Sequence, residues 1–508
     1  MLARVSSACL SGIEAELVAV EVDVSAGLPA FAMVGLPDST VRESRDRVRS
    51  AIRNAGYVFP MERITVSLAP ADLRKEGAAF DLPIALGILA ATGCLKREPL
   101  AGLLALGELG LDGEIRAVRG VLPIALACRR EGMAAILLPL ANGREAAVVD
   151  RLSVVPARTL REAVEWVNGE RSLEPVPFDP ATFSRTLQED EADFAEVRGQ
   201  SHAKRALEIA AAGGHNVLML GPPGAGKTML ARRFPTILPP LTLDEAIEVW
   251  TIWSVAGLLP PDSGLEMTRP FRAPHHTVSE AGLIGGGSIP HPGEVSLAHL
   301  GVLFLDELPE FAQHVLETLR QPLEDGRVVV SRASGAAAFP ARFQLLAAAN
   351  PCRRGCPTLE ACVCTSGERA RYLAKLSRPL LDRIDLHVEL PSVPFVELAE
   401  GVGGEPSHAI RARVVKARGI QHERFDGSRT RANAQMTARQ IRRFCGLPGD
   451  AQRLLAQAIS RLGLSARGHD RLLKITRTIA DLEGRERIAS EHLAEAIQYR
   501  TLDRWFVP

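Results

Sequence analysis

The stretch Asn216–Thr228 constrains the fold of this chain more than any other part of its sequence. Asn216–Leu220 is a short apolar run suited to a buried parallel strand, and Gly221–Thr228 follows it with the P-loop spacing G-x-x-x-x-G-K-[ST]. The glycines allow a concave turn whose backbone N–H groups bind phosphate oxygens. A glycine-rich turn with an unrelated lysine is the alternative, but the amphipathic continuation Met229–Phe234 argues against it. The stretch therefore predicts a phosphate-binding site at the end of a parallel strand.

Two carboxylates end a second apolar run. Gly301–Leu305 is followed directly by Asp306 and Glu307, about eighty residues after the P-loop. We expect the aspartate and Thr228 to hold Mg²⁺, and the glutamate to orient and polarise an attacking water. Lys227 is expected to reach the outer phosphates of ATP. The predicted nucleotide-binding residues are Gly221, Pro222, Pro223, Gly224, Ala225, Gly226, Lys227, Thr228 and Asp306, with Thr228 and Asp306 as the Mg²⁺ ligands.

The composition is that of an ordinary soluble protein. Hydrophobic residues make up 46% and charged residues 24% of the 508 residues, which excludes disordered and collagen-like classes. The longest apolar stretch, Leu82–Leu95, is too short to span a bilayer and predicts a core helix. Met1–Gly12 lacks the apolar centre of a signal peptide. We expect about three domains, a cytoplasmic location and no membrane partner.

The net charge is zero, but the charges are unevenly distributed. The segment from Ile410 to the end contains about twenty lysines and arginines against about ten aspartates and glutamates. The preceding part is therefore acidic by a similar amount. The C-terminal part could be a basic domain that faces nucleic acid or a solvated arginine-rich helical surface, and composition leaves both interpretations open.

Residues 1–170 are expected to form a compact α/β domain, because strand-like and helical patterns alternate along them. No constellation for nucleophilic catalysis stands out there. Residues 171–193 combine prolines with an acidic run, which predicts a linker. The expected strands are Leu17–Val24, Arg63–Ala69, Leu104–Leu109 and Ala135–Pro139, and the expected helices are Ser39–Ala55, Leu82–Ala91 and Val121–Glu131.

Residues 194–395 are expected to form the nucleotide-binding core and residues 396–508 a helical domain. Thr437 and Ser490 are suitable residues for the starts of two of its helices. The expected helices of both parts are Ser201–Ala212, Phe311–Leu323, Ile410–Gln421, Thr437–Phe444, Gly449–Leu462, Ser465–Gly484 and Ser490–Tyr499.

A long excursion, Leu238–Leu300, separates the P-loop helix from the strand before Asp306. Insertions of this length are usually functional, and we expect helices only in its first half. His275 and His276 are adjacent, so they lack the spacing of a helix-borne zinc pair. Ordinary hydrogen bonding and packing are favoured over a metal site for these two side chains.

A hairpin with a basic tip is predicted between Arg327–Ser331 and Ala338–Leu346. Arg332 begins the connecting segment Arg332–Gly335. A plain surface hairpin is the alternative to a functional one. The second run leads to Asn350, which is thereby placed where it could hydrogen-bond a γ-phosphate or the attacking water.

Four of the eight cysteines crowd into the loop after Asn350. In a cytoplasmic protein such a cluster suggests metal before disulfides. Four thiolates can form a closed tetrahedral Zn²⁺ site, although these spacings differ from the common C-x₂-C pairs. Four reduced loop cysteines are the alternative. The residues concerned are Cys352, Cys356, Cys362 and Cys364.

Several segments together resemble the magnesium-chelatase-like AAA+ ATPases. The resemblance implies an α/β P-loop domain, in which helices flank a parallel sheet, followed by a helical lid. The segments are Val197–Gln200, Arg272–His276, Gly282–Gly287, Gly293–His299, Gly301–Glu307 and Leu380–Asp385.

The same resemblance implies roles for polar residues outside the P-loop. Asn350 would act as a γ-phosphate sensor, and Arg467 would reach over the bound nucleotide. An arginine finger would contact the γ-phosphate of ATP bound to a neighbouring subunit. Arg383 is the first candidate for this finger, and Arg378 is the second. From the residues alone, Arg383 could equally form a salt bridge within its own subunit.

The front part resembles the Lon-protease-type domain, an α/β fold of the ribosomal S5 domain 2-like kind. The segments that carry this resemblance are Arg74–Asp81 and Gly107–Ile115. In that family a serine and a lysine form the catalytic dyad, but the corresponding places here hold Ala79 and, approximately, Leu122. The resemblance therefore implies a domain that keeps the fold and is catalytically inert.

With Val34–Asp38 in the front part, the resemblance covers essentially the whole chain and indicates the YifB/ComM family. The ATPase subunit of magnesium chelatase is shorter and lacks a counterpart of residues 1–167. The YifB/ComM family resemblance implies a hexameric, ATP-driven helicase on single-stranded or branched DNA that promotes branch migration in recombination and natural transformation. The hairpin that contains Arg332 resembles the pre-sensor insertion of helicase-like AAA+ rings, which implies a DNA-contacting hairpin in the central pore. A chelatase-type motor for Mg²⁺ insertion into a tetrapyrrole and a nucleotide-dependent scaffold or chaperone are the alternatives.

Overall fold

The computed structural model describes residues 1–177, 192–259, 267–287, 290–332, 335–356, 362–392 and 403–502. The chain divides into two compact units. The first comprises Met1–Thr186, Leu243–Met267 and Ser331–Phe339, and the second comprises Leu187–Thr242, Thr268–Val330 and Pro340–Pro508. Most of the predicted linker, residues 178–191, lies outside the described residues, and the predicted domain boundaries remain a prediction.

A seven-stranded mixed sheet forms the centre of the first unit. Its order is β3-β4-β2-β1-β5-β8-β9, with antiparallel pairing of β1 with β2 and of β2 with β4, and parallel pairing elsewhere. The strands of this unit are β1 Leu2–Ser11, β2 Glu14–Ser25, β3 Ala30–Val34, β4 Arg63–Ala69, β5 Leu103–Ala105, β6 Glu108–Leu109, β7 Ile115–Arg116, β8 Ala135–Pro139 and β9 Ser153–Ala157.

One helix of the first unit, Asp81–Ala91, is buried along its whole length. Its residues are almost all apolar, as expected for a helix surrounded by protein. Gly87 permits close approach to the sheet, because a Cβ there would lie 2.6 Å from Val22 Cγ2. The other helices of the first unit are Ser39–Asn54, Val121–Arg130, Gly143–Ala146 and Leu160–Val167, together with Leu243–Ala256 from the long excursion.

The second unit is built on a five-stranded parallel sheet. Its order is β11-β14-β17-β10-β18. Two further short pairs are β12 with β13 and β15 with β16. The strands of the second unit are β10 Val217–Leu220, β11 Phe271–Arg272, β12 Gly285–Gly286, β13 His291–Pro292, β14 Val302–Leu305, β17 Gln344–Ala349 and β18 Leu386–Glu389. β15 Arg327–Arg332 belongs mostly to the second unit, whereas β16 Gly335–Pro340 falls mostly in the stretch Ser331–Phe339 of the first unit.

A continuous apolar core joins this sheet to the C-terminal helices. Met219 of β10, Leu346 of β17 and Ile475 of the helix Ala466–Leu482 belong to the same buried cluster. The helices are Ser201–Gly213, Lys227–Arg233, Glu280–Ile284, Glu294–Leu297, Gln313–Thr318, Arg320–Asp325, Ser366–Leu373, Arg378–Leu381, Ser407–Arg424, Ala438–Phe444, Gly449–Leu462, Ala466–Leu482 and Ser490–Gln498.

The predicted α/β class is confirmed, including a parallel sheet flanked by helices. Thr437 is also confirmed as a helix cap, since its side chain accepts from Gln440 N and the Gln440 side chain accepts from Thr437 N. None of the helices in the described part of the chain combines the length and apolar character that a bilayer crossing requires.

Four local predictions were wrong. Phe311–Leu323 is two helices rather than one, and the second half of the excursion also contains two short helices. The run Ala338–Leu346 contains the end of β16 and the start of β17, so the hairpin closes earlier than expected. Leu104–Leu109 is likewise two separate strands, β5 and β6.

Candidate nucleotide-binding site

The P-loop follows β10, which lies between β17 and β18 in the sheet. Gly224 and Gly226 have φ values of 79° and 89°, a region that side chains with a Cβ rarely adopt. A Cβ on Gly221 would lie 2.4 Å from Leu390 O at the end of β18. The glycines of the motif are thus required both for the turn and for the close approach of the neighbouring strand.

Lys227 lies inside the turn and is only 8% exposed. Its Nζ donates to Gly221 O at 2.7 Å, to Pro222 O at 2.9 Å and to Asn350 Oδ1 at 3.1 Å. Burial lowers the pKa of this ammonium group, while the nearby carboxylates of Asp306 and Glu307 act in the opposite direction. A partly desolvated cation within a glycine turn fits a triphosphate, which would supply stronger acceptors than carbonyl oxygens.

Thr228 and Asp306 meet although 78 residues separate them. Thr228 Oγ1 donates to Asp306 Oδ2 at 2.6 Å. A hydroxyl and a carboxylate oxygen are both hard donors of the kind that Mg²⁺ prefers. The pair therefore fits Mg²⁺, with Asp306 as its anionic ligand.

Glu307 directly follows Asp306 and has a left-handed backbone, with φ of 51°. Its N–H donates to Asp306 Oδ1 at 2.9 Å, and its side chain is 57% exposed. The two neighbouring carboxylates therefore have different surroundings: Asp306 is hydrogen-bonded to Thr228, and Glu307 is accessible to water.

Asn350 follows β17, and β17 lies between β10 and β14. The strand before Asp306, β14, is therefore not adjacent to the P-loop strand β10 but lies one position further along the sheet. Because all three strands are parallel, their carboxyl ends still converge. The Asn350 amide consequently reaches Lys227 between the P-loop and the carboxylates.

The sequence favoured hydrogen bonding and packing over metal binding for His276, and the structure places its side chain beside Glu307. His276 Nδ1 lies 3.9 Å from Glu307 Oε2, and the His276 ring packs edge-on against Phe311 at 6.4 Å between centroids. His275 Nδ1 instead contacts Thr277 Oγ1 at 2.9 Å. Neither histidine belongs to a group of three or more potential metal ligands among the described residues. The adjacency of two histidines in the excursion was the only sequence signal.

Arg383 and Arg467 converge on one carboxylate, Glu324. Arg383 is 8% exposed and pairs with Glu324, while Arg467 Nη2 lies 3.6 Å from Glu324 Oε1. Arg467 itself is 61% exposed in the first turn of its helix. In the single chain Arg383 is therefore engaged internally, whereas Arg378 is exposed. Glu324 had no signal in the sequence.

A buried polar cluster ties the start of the P-loop strand to the lid helix. Asp385 Oδ2 accepts from Asn216 N at 3.2 Å and faces His215 Nδ1 at 3.3 Å. Asp385 Oδ1 lies 3.1 Å from Arg471 Nε of the helix Ala466–Leu482. His215 Nε2 also contacts Thr478 Oγ1 of that helix at 2.8 Å. The helix that carries Arg467 is thus anchored to the sheet that carries the P-loop.

The remaining predicted residues make none of the polar contacts described above. Arg332 ends β15, and its side chain is not among those the structure describes. Ala79 and Leu122 belong to the first unit, where Ala79 O accepts from Gly107 N and Leu122 N donates to Glu145. The four loop cysteines form a cluster of their own, with all ligand atoms within 4.8 Å of one another.

Comparison with known families accounts for most of the chain. Residues 193–398 match the family described as "Magnesium chelatase, subunit ChlI". Residues 20–142 match "Subunit ChlI of Mg-chelatase", and residues 404–500 match "Magnesium chelatase, subunit ChlI C-terminal".

Comparison with individual proteins gives two kinds of relative. The chain is 46% identical over 510 residues to Competence protein ComM of Haemophilus influenzae, which covers 99% of this chain and 98% of that protein. It is 44% identical to the uncharacterized protein YifB of Salmonella typhimurium, over 100% of this chain and 98% of that protein. The magnesium-chelatase 38 kDa subunit of Rhodobacter capsulatus is 29% identical over 31% of this chain and 50% of its own length.

Proposed function

Because the chain belongs to the YifB/ComM family of magnesium-chelatase-like AAA+ proteins, we propose that it is an ATP-driven motor that acts on DNA. The observation that carries this proposal is the full-length similarity to a competence protein, at 46% identity over 99% of the chain. Two magnesium-chelatase 38 kDa subunits match 31% and 59% of the chain, at the lower identities of 29% and 26%. The family itself implies nucleotide and Mg²⁺ as cofactors.

The proposed ATPase chemistry uses the residues gathered at the carboxyl ends of β10, β14 and β17. Mg²⁺-ATP supplies the phosphoryl group whose transfer to water releases the energy for movement. Thr228 and Asp306 would hold the metal, and Lys227 would leave its carbonyl partners to neutralise phosphate charge. Glu307 orients the attacking water and polarises its O–H bond, while Asn350 donates a hydrogen bond to phosphate.

We further propose that ATP binds between subunits of a ring, of six subunits as the family resemblance implies. An arginine from the neighbouring subunit would then stabilise the charge of the transition state. Arg383 would have to break its ion pair with Glu324 before it could contact phosphate. Arg378 is already exposed. Arg467 would act within its own subunit, where its exposed side chain beside Glu324 could turn towards nucleotide.

DNA is proposed to contact the hairpin around Arg332 and the basic C-terminal helices. Arg439, Arg442 and Arg443 are exposed on one short helix, Ala438–Phe444. Such surfaces bind the phosphate backbone without sequence preference, and the affinity falls with salt. Promotion of branch migration during recombination and natural transformation is the specific activity that we propose for this motor.

The first experiment measures ATP hydrolysis by the purified full-length chain with and without four-way DNA. We expect stimulation by branched DNA, and we expect Glu307→Gln to abolish hydrolysis while nucleotide binding remains. Stimulation only by a porphyrin with partner subunits would favour the chelatase-type motor. Hydrolysis that responds to neither would favour the scaffold or chaperone.

Measurements of ATP hydrolysis and of DNA binding, alongside a branch-migration assay, test the DNA contact. Arg332→Glu should weaken the stimulation by DNA and lower the salt dependence of DNA binding, while basal hydrolysis is retained. Arg45→Glu is the matched control, because Arg45 is an exposed arginine on a helix of the first unit. Equal loss of basal and DNA-stimulated hydrolysis in Arg332→Glu would contradict the proposed role of the hairpin.

A further inference from the structure

The loop between Asn350 and the helix Ser366–Leu373 brings four thiols together. All four sulfur atoms lie within 4.8 Å of one another, and no cysteine of the chain forms a disulfide. Cys352 and Cys356 are buried, and Cys362 and Cys364 are half-buried. Four neutral thiols at these distances form only weak hydrogen bonds with one another, because the thiol is a weak donor and a weak acceptor. Their clustering therefore contributes little stability without a metal.

The dimensions of this cluster suit one tetrahedral ion. A Zn–S bond of about 2.3 Å gives sulfur-to-sulfur distances of about 3.8 Å in a regular tetrahedron. The observed upper limit of 4.8 Å requires only a small contraction. A cluster of several iron and sulfide atoms would need its four thiolates to stand further apart. Carboxylate and imidazole ligands are absent from this group, and an all-sulfur set favours zinc over Mg²⁺ or Ca²⁺.

A backbone amide supports the charged form of one ligand. Cys356 N–H donates to Cys352 Sγ at 3.4 Å, and Gly355 N–H donates to Cys352 O at 3.1 Å, which closes a tight turn. Gly355 has φ of 68° and so adopts the left-handed conformation that the turn requires. Amide donation to a metal-bound thiolate offsets part of its negative charge.

The cluster also adjoins the candidate ATP site. A Cβ on Gly355 would lie 2.9 Å from Pro223 Cδ, so this turn packs directly on the P-loop. Asn350 lies two residues before Cys352. The segment that presents the Asn350 amide to Lys227 therefore continues directly into the turn that packs on the P-loop.

We propose that Cys352, Cys356, Cys362 and Cys364 bind one structural Zn²⁺ ion, which fixes the position of Asn350 at the ATP site. Binding displaces the thiol protons to solvent and changes no oxidation state. The ion closes the loop, and the closed loop holds both Asn350 and the turn against Pro223. The metal site stands on the thiol geometry alone, whereas its effect on turnover rests on the proposed ATPase function.

Metal analysis of the full-length chain, purified without chelators, tests the site. We expect about one zinc per chain, and near-zero zinc in Cys356→Ser and in the double variant Cys356→Ser/Cys364→Ser. Cys364→His should retain zinc, since three thiolates and an imidazole also form closed sites. Cys94→Ser is the matched control, because Cys94 is exposed and lies in the first unit. It should keep the full zinc content.

Cobalt substitution gives a readout that does not depend on activity. Co²⁺ bound to four thiolates should produce the intense visible bands of a tetrahedral site, and Cys94→Ser should show the same spectrum. Wild-type protein without zinc that also fails to give this spectrum would overturn the metal site, as would iron in place of zinc or full zinc retention in the double variant.

Single-turnover and steady-state kinetics test the link to the ATP site. Release of zinc from wild-type protein by a mercurial, followed by thiol and chelator, should lower kcat at least about tenfold with little loss of nucleotide binding, because a small displacement of a positioned group is costly. Zinc added back should restore kcat. Unchanged kcat after zinc loss would overturn the positioning role. Zinc binding in a chain that never hydrolyses ATP would instead refute the proposed function and leave the metal site standing.

Discussion

Replacement of Asp385 by asparagine should loosen the lid helix from the ATPase sheet. The Asp385 carboxylate accepts from Asn216 N, faces His215 and pairs with Arg471 of the helix Ala466–Leu482. Asparagine keeps one oxygen acceptor and nearly the same shape. It removes the negative charge, so Arg471 remains buried without its carboxylate, at 14% side-chain exposure.

The magnitude follows from two independent considerations. Burial by itself would raise the pKa of Asp385, but the hydrogen bond from His215 and the positive charge of Arg471 outweigh it and lower the pKa from 3.8 to about 2. That difference corresponds to about 2 kcal/mol of stabilisation by the charged form. Removal of one partner from a buried ion pair costs roughly 3–5 kcal/mol. Since asparagine retains a hydrogen-bond acceptor, we expect a loss of about 2–3 kcal/mol.

The sign of the pH dependence is fixed by the lowered pKa. A carboxylate whose pKa is lowered in the folded state contributes its full stabilisation of that state at pH values above its ordinary pKa of 3.8. This contribution is lost as the pH falls towards about 2. The difference between wild type and Asp385→Asn should therefore be constant from neutral pH down to about pH 5 and shrink below about pH 4.

Hydrogen exchange followed by mass spectrometry is the appropriate assay, because a chain with two compact units need not unfold in one step. A loss of 2 kcal/mol should accelerate exchange about thirtyfold in peptides from β18 and the helix Ala466–Leu482. Peptides from β2 in the first unit provide the internal reference. Asp470→Asn is the matched control, because Asp470 lies on the same helix with a 44% exposed side chain.

Two results would refute this reasoning. Acceleration below about threefold at neutral pH would mean that water or another group replaces the carboxylate at Arg471 with little cost. An equal effect of Asp470→Asn would mean that the helix responds to any loss of negative charge rather than to the loss of the buried pair.

Three further predictions concern single side chains at or near the sites. Lys227→Ala should weaken nucleotide binding about 10- to 100-fold in a titration with a fluorescent nucleotide, because charge-assisted hydrogen bonds to phosphate are lost; unchanged affinity would contradict its assignment. His276→Ala should lower kcat about tenfold with little change in KM, because His276 only orients Glu307; a loss confined to nucleotide affinity would contradict that role. Ser254→Ala should destabilise the first unit by about 1 kcal/mol in tryptophan-monitored unfolding, because Ser254 donates to the buried carboxylate of Glu145.

The P-loop and its partners could be predicted because their signals are local. A fixed glycine spacing defines the turn, and polar residues at the ends of parallel strands meet at one edge of the sheet. Thr228 is accordingly hydrogen-bonded to Asp306, and Lys227 is hydrogen-bonded to Asn350. The C-terminal helices were predictable for a similar reason, since each has its own apolar periodicity and three begin or end at the expected residue.

The missed strands lack such local signals. β9, Ser153–Ala157, contains Pro156 and lies at the edge of the sheet, where proline is tolerated and the apolar pattern is weak. β1, Leu2–Ser11, mixes serines with small apolar residues, and its burial follows from pairing with β2 rather than from its own sequence. The pairing of Arg383 with Glu324 was equally invisible, because 59 residues separate the two side chains.

The helix Leu243–Ala256 lies in the chain between the P-loop and Asp306, yet it belongs to the first unit. Its apolar side chains, such as Val249 and Ile252, are buried there, and Ser254 bonds with Glu145. Deletion of the first 186 residues would therefore remove the apolar partners of this helix and expose its hydrophobic side chains to solvent, which favours aggregation. A truncation at the linker would not separate the two units, because the first unit includes residues on both sides of it. The role of each unit is better tested by point substitutions in the full-length protein.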